Sequence, residues 1–143
     1  MARVKIDLPK TFGFETEIPL RIGDINYGGH LGNDSVLAIA HEARVRFLGE
    51  YGFSESDVGG CGIIMADAMI VYKSEAFYGQ TVKVRIAVTP TGKVGCDLSY
   101  SLTDAADDRE IARIKTGIVF FDYERRRPIP IPNAFKSAIF QDD

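Results

Sequence analysis

One segment, Asn33 to Tyr51, limits the choice of fold more than any other. NDSVLAIAHEARVRFLGEY places Val36, Ala40, Ala43 and Phe47 at helical spacing, with Leu37, Ile39 and Leu48 beside them. Asn33 or Asp34 reads as the N-cap and Gly52 as the stop. The first half is apolar nearly all round, and the charges Arg44, Arg46 and Glu50 enter only in the second half. A helix of that composition is enclosed by other elements rather than laid on a surface.

The rest of the chain must supply the enclosure, and it reads as strands. Residues Phe12 to Ile22 alternate, with Phe12, Phe14, Thr16, Ile18, Leu20 and Ile22 on one face. Pro19 lacks a ladder donor, so this strand belongs at an edge or carries a bulge. After the glycines at 59, 60 and 62 come strands over Ile63–Tyr72, Thr81–Val88 and Val94–Leu102. A loop from Asp104 to Asp108 then turns into a strand over Glu110–Tyr123. That strand is apolar on both faces at Ile118–Phe121, which predicts a central position. Strand, long helix, then four antiparallel strands is an α+β order in which one sheet buries its apolar face against one helix. The tail from Asn133 to Phe140 has no place fixed by pattern.

At 143 residues the chain fits a single domain over 1–143, with enough length for a real core. A net charge of −3 argues against a nucleic-acid partner, since phosphate binding leaves a basic signature. No apolar run has the length to span a membrane, and MARVKIDLPK lacks the apolar core of a secretory signal. Cys61 and Cys96 form no CxxC pair and read as reduced thiols, which points to the cytoplasm. His30 and His41 have no near Cys and fit no zinc spacing, so no metal is expected. Neither GxSxG nor GxxxxGK occurs.

The loop before the helix carries the chemistry. RIGDINYGGHLGNDSVLAIAHEAR, from Arg21 to Arg44, matches without a gap the pattern RxxDxDxxGHVNNxxYxxYFEEAR. DAMIVYKSEAFYGQTVKV matches a strand, turn and strand around a "yGD" turn, and KTGIVFFDYERRRPIPIP a closing strand with its tail. In these features the chain resembles the acyl-CoA thioesterases related to 4-hydroxybenzoyl-CoA thioesterase. The resemblance implies the hot-dog fold, a curved antiparallel sheet wrapped around one long central helix. It also implies an acyl-CoA substrate with no separate cofactor, and a homodimer or tetramer whose sites lie between chains. It covers roughly residues 12–135. Four departures stand out. Asn26 occupies the place of the relatives' second Asp, commonly the nucleophile or general base. Gly32-Asn33 stands where they have two Asn, Asp34 where they are often uncharged, and His41 where they are often acidic.

Thioester hydrolysis needs a polarised carbonyl, an activated nucleophile and a dry acyl slot. Free N–H groups and the dipole at a helix N-terminus meet the first need, and Gly28 and Gly29 let substrate approach the backbone. An amide at Asn26 is no base, though it can orient water or donate to the thioester oxygen. The basicity must come from elsewhere. Asp24 is two residues away on a segment read as extended. Asp34 enters the first helical turn, where the dipole stabilises a carboxylate. Glu42 lies on the enclosed helix, where burial suits a general acid or base, or it simply pairs with Arg46 at i, i+4. His30 is of the one type that titrates near neutrality. Tyr27 is a wall for the acyl slot, Asn33 a cap or ligand contact, and Lys73 and Arg125 supply a basic rim for the phosphates of CoA. Two other readings remain open. One is an acyl-thioester hydratase or dehydratase built on His30 with Glu42. The other is an acyl-CoA binding protein that has lost its catalytic Asp.

Overall fold

A computed structural model describes residues 3–140. The expected single domain over 1–143 thus also takes in residues 1–2 and 141–143, which lie outside the described residues. The elements are β1 (Phe14–Pro19), a 3-10 turn (Ile22–Asp24), α1 (Asn33–Glu50), β2 (Gly62–Tyr72), β3 (Thr81–Pro90), β4 (Gly95–Asp104), β5 (Glu110–Asp122), β6 (Arg127–Pro128) and α2 (Asn133–Ile139). The strands form one antiparallel sheet in the order β1-β3-β4-β5-β2, with β6 also on β5. The class is α+β. β1 lies at an edge and ends on Pro19, while β5 sits between β4 and β2, as the apolar pattern implied. A register shift between Met65 and Asp67 puts a bulge in β2, which bends the strand.

The period of two in the strands becomes the inner face of the sheet. Val82, Val84 and Ile86 of β3, Leu98, Tyr100 and Leu102 of β4, and Ile114, Thr116, Ile118 and Phe120 of β5 are all buried. Against them α1 lays Val36, Ile39, Ala40, Ala43, Phe47 and Leu48. Ala40 and Ala43 have no exposed surface, so the backbone of α1 approaches the sheet closely. Gly52, at φ +79°, follows α1 in the left-handed region that a helix stop requires.

Three expectations change. The N-cap of α1 is Gly32, with extended dihedrals and no side-chain cap, rather than Asn33 or Asp34. Those two residues are already helical. α1 is also only half covered in the single chain. Leu37 and Val45 are 40% and 46% exposed, and Ala38, His41 and Glu42 share that outer side. The sheet covers one side of the helix, and the apolar residues on the other side face away from it. Finally, the tail from Asn133 does have a place. It forms α2, whose Phe135 is fully buried, with ring centroids 4.9 Å from Phe120 and 6.2 Å from Phe53. No helix among the described residues is long and apolar enough to cross a membrane.

Candidate active site

The loop between β1 and α1 folds back on itself. Its first part is a 3-10 turn, not an extended segment, so Asp24 and Asn26 do not project together as the sequence suggested. Asp24 is buried and turns toward Arg21. It accepts from the Arg21 backbone N–H at 2.8 Å and from the guanidinium at 3.4 Å. Its carboxylate therefore holds the turn together.

Asn26 opens the next turn. Its Oδ1 accepts from Gly28 N at 2.9 Å, its N–H donates to His30 O at 2.9 Å, and its carbonyl accepts from Gly29 N at 3.0 Å. Gly29 takes φ +83°, which excludes most side chains. A Cβ on Gly28 would lie 3.2 Å from both Asn26 Oδ1 and His30 Nε2, so those two side chains flank Gly28 closely. Tyr27 projects fully into solvent and walls nothing in the single chain.

The loop delivers the chain to the start of α1. Val36 is the first residue there to donate along the helix, to Gly32 O at 3.2 Å. Among the described residues the N–H groups of Asn33, Asp34 and Ser35 have no backbone acceptors, which makes an electropositive cradle at the N-terminus of an 18-residue helix. Leu31 N donates to Ala76 O at 2.8 Å and the Tyr72 hydroxyl to Asn33 O at 3.3 Å. These bonds moor the loop and the start of α1 to the end of β2 and the segment that follows it.

Three cavities surround this half of α1, and the sequence-derived residues are shared among them. One, of about 290 Å³, is bordered by Asp24 and Glu42 together with Ile18, Ile39 and Arg46. Glu42 is exposed rather than enclosed, and it accepts from Arg46 Nε at 2.8 Å, the i, i+4 pair. A second, also about 290 Å³, is lined by His30, Asn33, Val36, Tyr72, Lys73 and Glu75, among others. The third, about 410 Å³, runs between α1 and β2 and is bordered by Asp34, Leu37, His41, Arg44, Met65 and Thr116, among others. His30 and Glu42, the pair a hydratase would need, border different cavities. Lys73 opens on the His30 cavity, but Arg125 does not share its end of the sheet. Tyr72 pairs with Ala112 and Gly62 with Phe121, so the two ends of the β2–β5 ladder are about 30 Å apart. Arg125 follows Asp122 at the far end, 3.8 Å from its carboxylate.

Two groups of residues escaped the sequence. Glu75, in the turn after β2, places Oε1 4.0 Å from His30 Nε2. Its one signal was its place two residues after Lys73 in the matched turn. The second group is a chain of polar contacts across the core. Glu55 accepts from Arg44 Nε at 2.9 Å and contacts His41 Nε2 at 2.7 Å. Arg44 also donates to the Tyr100 hydroxyl at 3.0 Å, and that oxygen lies 2.8 Å from Thr116 Oγ1. Burial opposes the charge on Glu55, but hydrogen bonds from Arg44 and His41 outweigh it and hold the carboxyl below its usual range. Burial likewise opposes the charge on Arg44. The facing Tyr100 oxygen and Glu55 outweigh it and keep the guanidinium firmly protonated. Burial raises the Tyr100 phenol against the opposing pull of Arg44. These partners are far apart in sequence, and no local pattern joins them. No cluster of three or more metal-ligating side chains occurs among the described residues.

Comparison with solved structures agrees with this architecture. A 1,4-dihydroxy-2-naphthoyl-CoA thioesterase from Synechocystis superposes with a TM-score of 0.83 at 22% identity, covering 90% of this chain and 96% of that one. A DHNA-CoA thioesterase from Staphylococcus aureus gives 0.73 at 20% identity, over 86% and 80% of the two chains. Another Staphylococcus aureus protein, solved in complex with CoA, gives 0.79 at 17% identity, over 93% and 84%. Among curated proteins no sequence matches the chain. The thioesterase-like superfamily matches residues 20–139, from the end of β1 through α2. This chain belongs to the thioesterase-like superfamily and is a thioester hydrolase of that family.

Proposed function

We propose that the protein hydrolyses an acyl- or aroyl-CoA thioester to the free acid and CoA, with the carbonyl oxygen facing the first turn of α1. The observation that carries this reading is the cradle itself. Free N–H groups at Asn33, Asp34 and Ser35 stand beside a loop in which Asn26 and His30 flank Gly28. Charge developing on the thioester oxygen would be met by donors already in place, and one such donor is typically worth about 10²–10³ in rate. The Asn26 side-chain amide nitrogen has no partner among the described residues and is free to donate to substrate. His30 supplies a base, and Asp34 a carboxylate in the first turn. Asp24 and Glu42 are held by Arg21 and Arg46, which makes them supports. Lys73, at the mouth of the His30 cavity, is the better-placed cation for a CoA phosphate.

The acyl group would occupy the space between α1 and β2, on the side of the helix that the sheet leaves open, completed by a second copy of the chain. β2 is the last strand of the sheet, and Met65 to Ala68 are exposed there beside the exposed Leu37 of α1. An open edge of that kind invites pairing, and a homodimer, alone or doubled into a tetramer, covers it. Free Cys61 and Cys96 fit a reducing cytoplasmic setting. The test is release of CoA thiol from short, long and aromatic acyl-CoAs by the purified chain and by Asn26→Ala and His30→Ala. Loss of turnover in both variants, with melting unchanged, is expected. Full activity in both overturns the assignment. Sedimentation at micromolar concentration should show a dimer or larger, and a monomer rejects the shared edge.

A further inference from the structure

We infer that Glu75 is a catalytic residue, which together with His30 holds and deprotonates the attacking water. The inference rests on the hydrolase reading above and supplies the carboxylate that Asn26 cannot provide.

His30 Nδ1 lies 3.2 Å from Leu31 O. A carbonyl oxygen only accepts, so Nδ1 carries a proton, and the neutral form of the ring presents its lone pair at Nε2. Nε2 in turn faces Glu75 Oε1 at 4.0 Å, too far for a direct hydrogen bond. Two acceptors at that separation suit one water that donates a hydrogen to each. Such a water turns its oxygen lone pairs away from both, toward the cavity they line. Asn33 and Val36, from the first turn of α1, line the same cavity, so the cradle for the oxyanion and the base for the water border one space.

The geometry is held from both sides. Leu31 N is bonded to Ala76 O at 2.8 Å, which ties the residue after His30 to the residue after Glu75. Arg109 Nη1 donates to Glu75 O and to Ser74 Oγ, each at 2.6 Å, fixing the backbone, while the carboxylate has no hydrogen bond among the described residues. None of the other acidic candidates is so placed: Asp24 is bound to Arg21, Glu42 to Arg46, and Asp34 borders the cavity on the other side of the helix.

In the step itself the water oxygen bonds to the thioester carbon while its proton passes to the Glu75 carboxylate. The carbonyl electron pair moves onto oxygen, facing the N–H groups of the first turn. When that pair returns, the carbon–sulfur bond breaks and the departing sulfur takes the proton from Glu75, leaving as the CoA thiol. The product acid loses its own proton to solvent, and Glu75 is regenerated.

The deciding variant is Glu75→Gln, which keeps size and hydrogen bonding but not basicity. Glu75 is exposed, so the variant should fold with unchanged melting. Its kcat should fall about 10²–10⁴-fold, the usual worth of a general base, with KM little changed. Glu75→Asp should recover part of that loss, and the acid limb of the pH–rate profile should change shape in Glu75→Gln. An active wild-type protein beside a Glu75→Gln variant within about threefold in kcat, a KM-only effect or an unaltered pH profile overturns the role of Glu75 and leaves the hydrolase reading standing. If the wild-type chain releases no CoA from any acyl thioester, both fall together.

Discussion

Replacing Arg44 by Met tests how α1 is fixed against the sheet. Met keeps the apolar stem and deletes two charge-assisted bonds, to Glu55 at 2.9 Å and to Tyr100 at 3.0 Å. Bonds of that kind are worth about 1.5–3 kcal/mol each before compensation. Three features reduce the net loss. The Glu55 side chain is 31% exposed and keeps His41, so its share falls toward the roughly 0–1 kcal/mol of a solvent-screened pair. Tyr100 keeps Thr116. The desolvation of a buried guanidinium is relieved. The expected loss is about 1–2 kcal/mol at pH 7, or roughly 3–10 °C in melting temperature for a chain of this size. The Glu55 carboxyl is held below its usual range, so its contribution is present above the unfolded carboxylate pKa. It is lost as pH falls through the lower folded value. Urea unfolding of wild type, Arg44→Met, Glu55→Gln and the double variant should give a coupling of about 0.5–1 kcal/mol at pH 7 that fades in acid. Equal stability of Arg44→Met and wild type at pH 7, or a coupling that persists after Glu55 is protonated, would refute the reasoning.

Three further outcomes follow from the same geometry. Gly28→Ala adds a Cβ 3.2 Å from both Asn26 Oδ1 and His30 Nε2, forcing shifts of a few tenths of an ångström. With about 10² in rate lost per ångström of misplacement, kcat should fall roughly 3–10-fold while stability is nearly kept, and steady-state kinetics beside a melting curve checks both. Phe135→Ala empties a fully buried site against Phe120 and Phe53 and should cost about 3–5 kcal/mol in chemical denaturation; a loss under about 1 kcal/mol would mean that α2 does not close the core. Cys96 is buried, and burial followed by the charge of Asp97 pushes its thiol up to about 12. It should therefore resist thiol reagents at pH 8 in the folded protein and react once unfolded, followed by mass spectrometry.

The sequence was most legible where periodicity and burial coincide. α1 covers the segment read as helical, though its cap lies at Gly32, before the residues read as caps; β3 to β5 fall where the strand pattern put them, and Pro19 marks the edge it implied. The motif from Arg21 to Arg44 pointed to the loop that the structure folds against the start of α1. What stayed hidden depends on contacts between distant positions. The base partner of His30 comes from Glu75, across a loop mooring that no spacing reveals. Arg44 reaches Tyr100 across 56 positions. Glu42 shows the reverse case. Its place on an apolar-looking helix suggested enclosure, but the sheet covers only one side of α1, and Glu42 falls on the other with Arg46.

The central claim is that water, rather than a protein carboxylate, attacks an acyl thioester in this loop. A single-turnover reaction with enzyme in excess, run in water enriched in oxygen-18, tests it directly. The account predicts one equivalent of free CoA and a product acid that carries one heavy oxygen from the first turnover, with none entering the protein. An unlabelled acid with heavy oxygen in a protein carboxylate would contradict it, and so would an acyl-CoA that stays bound and intact.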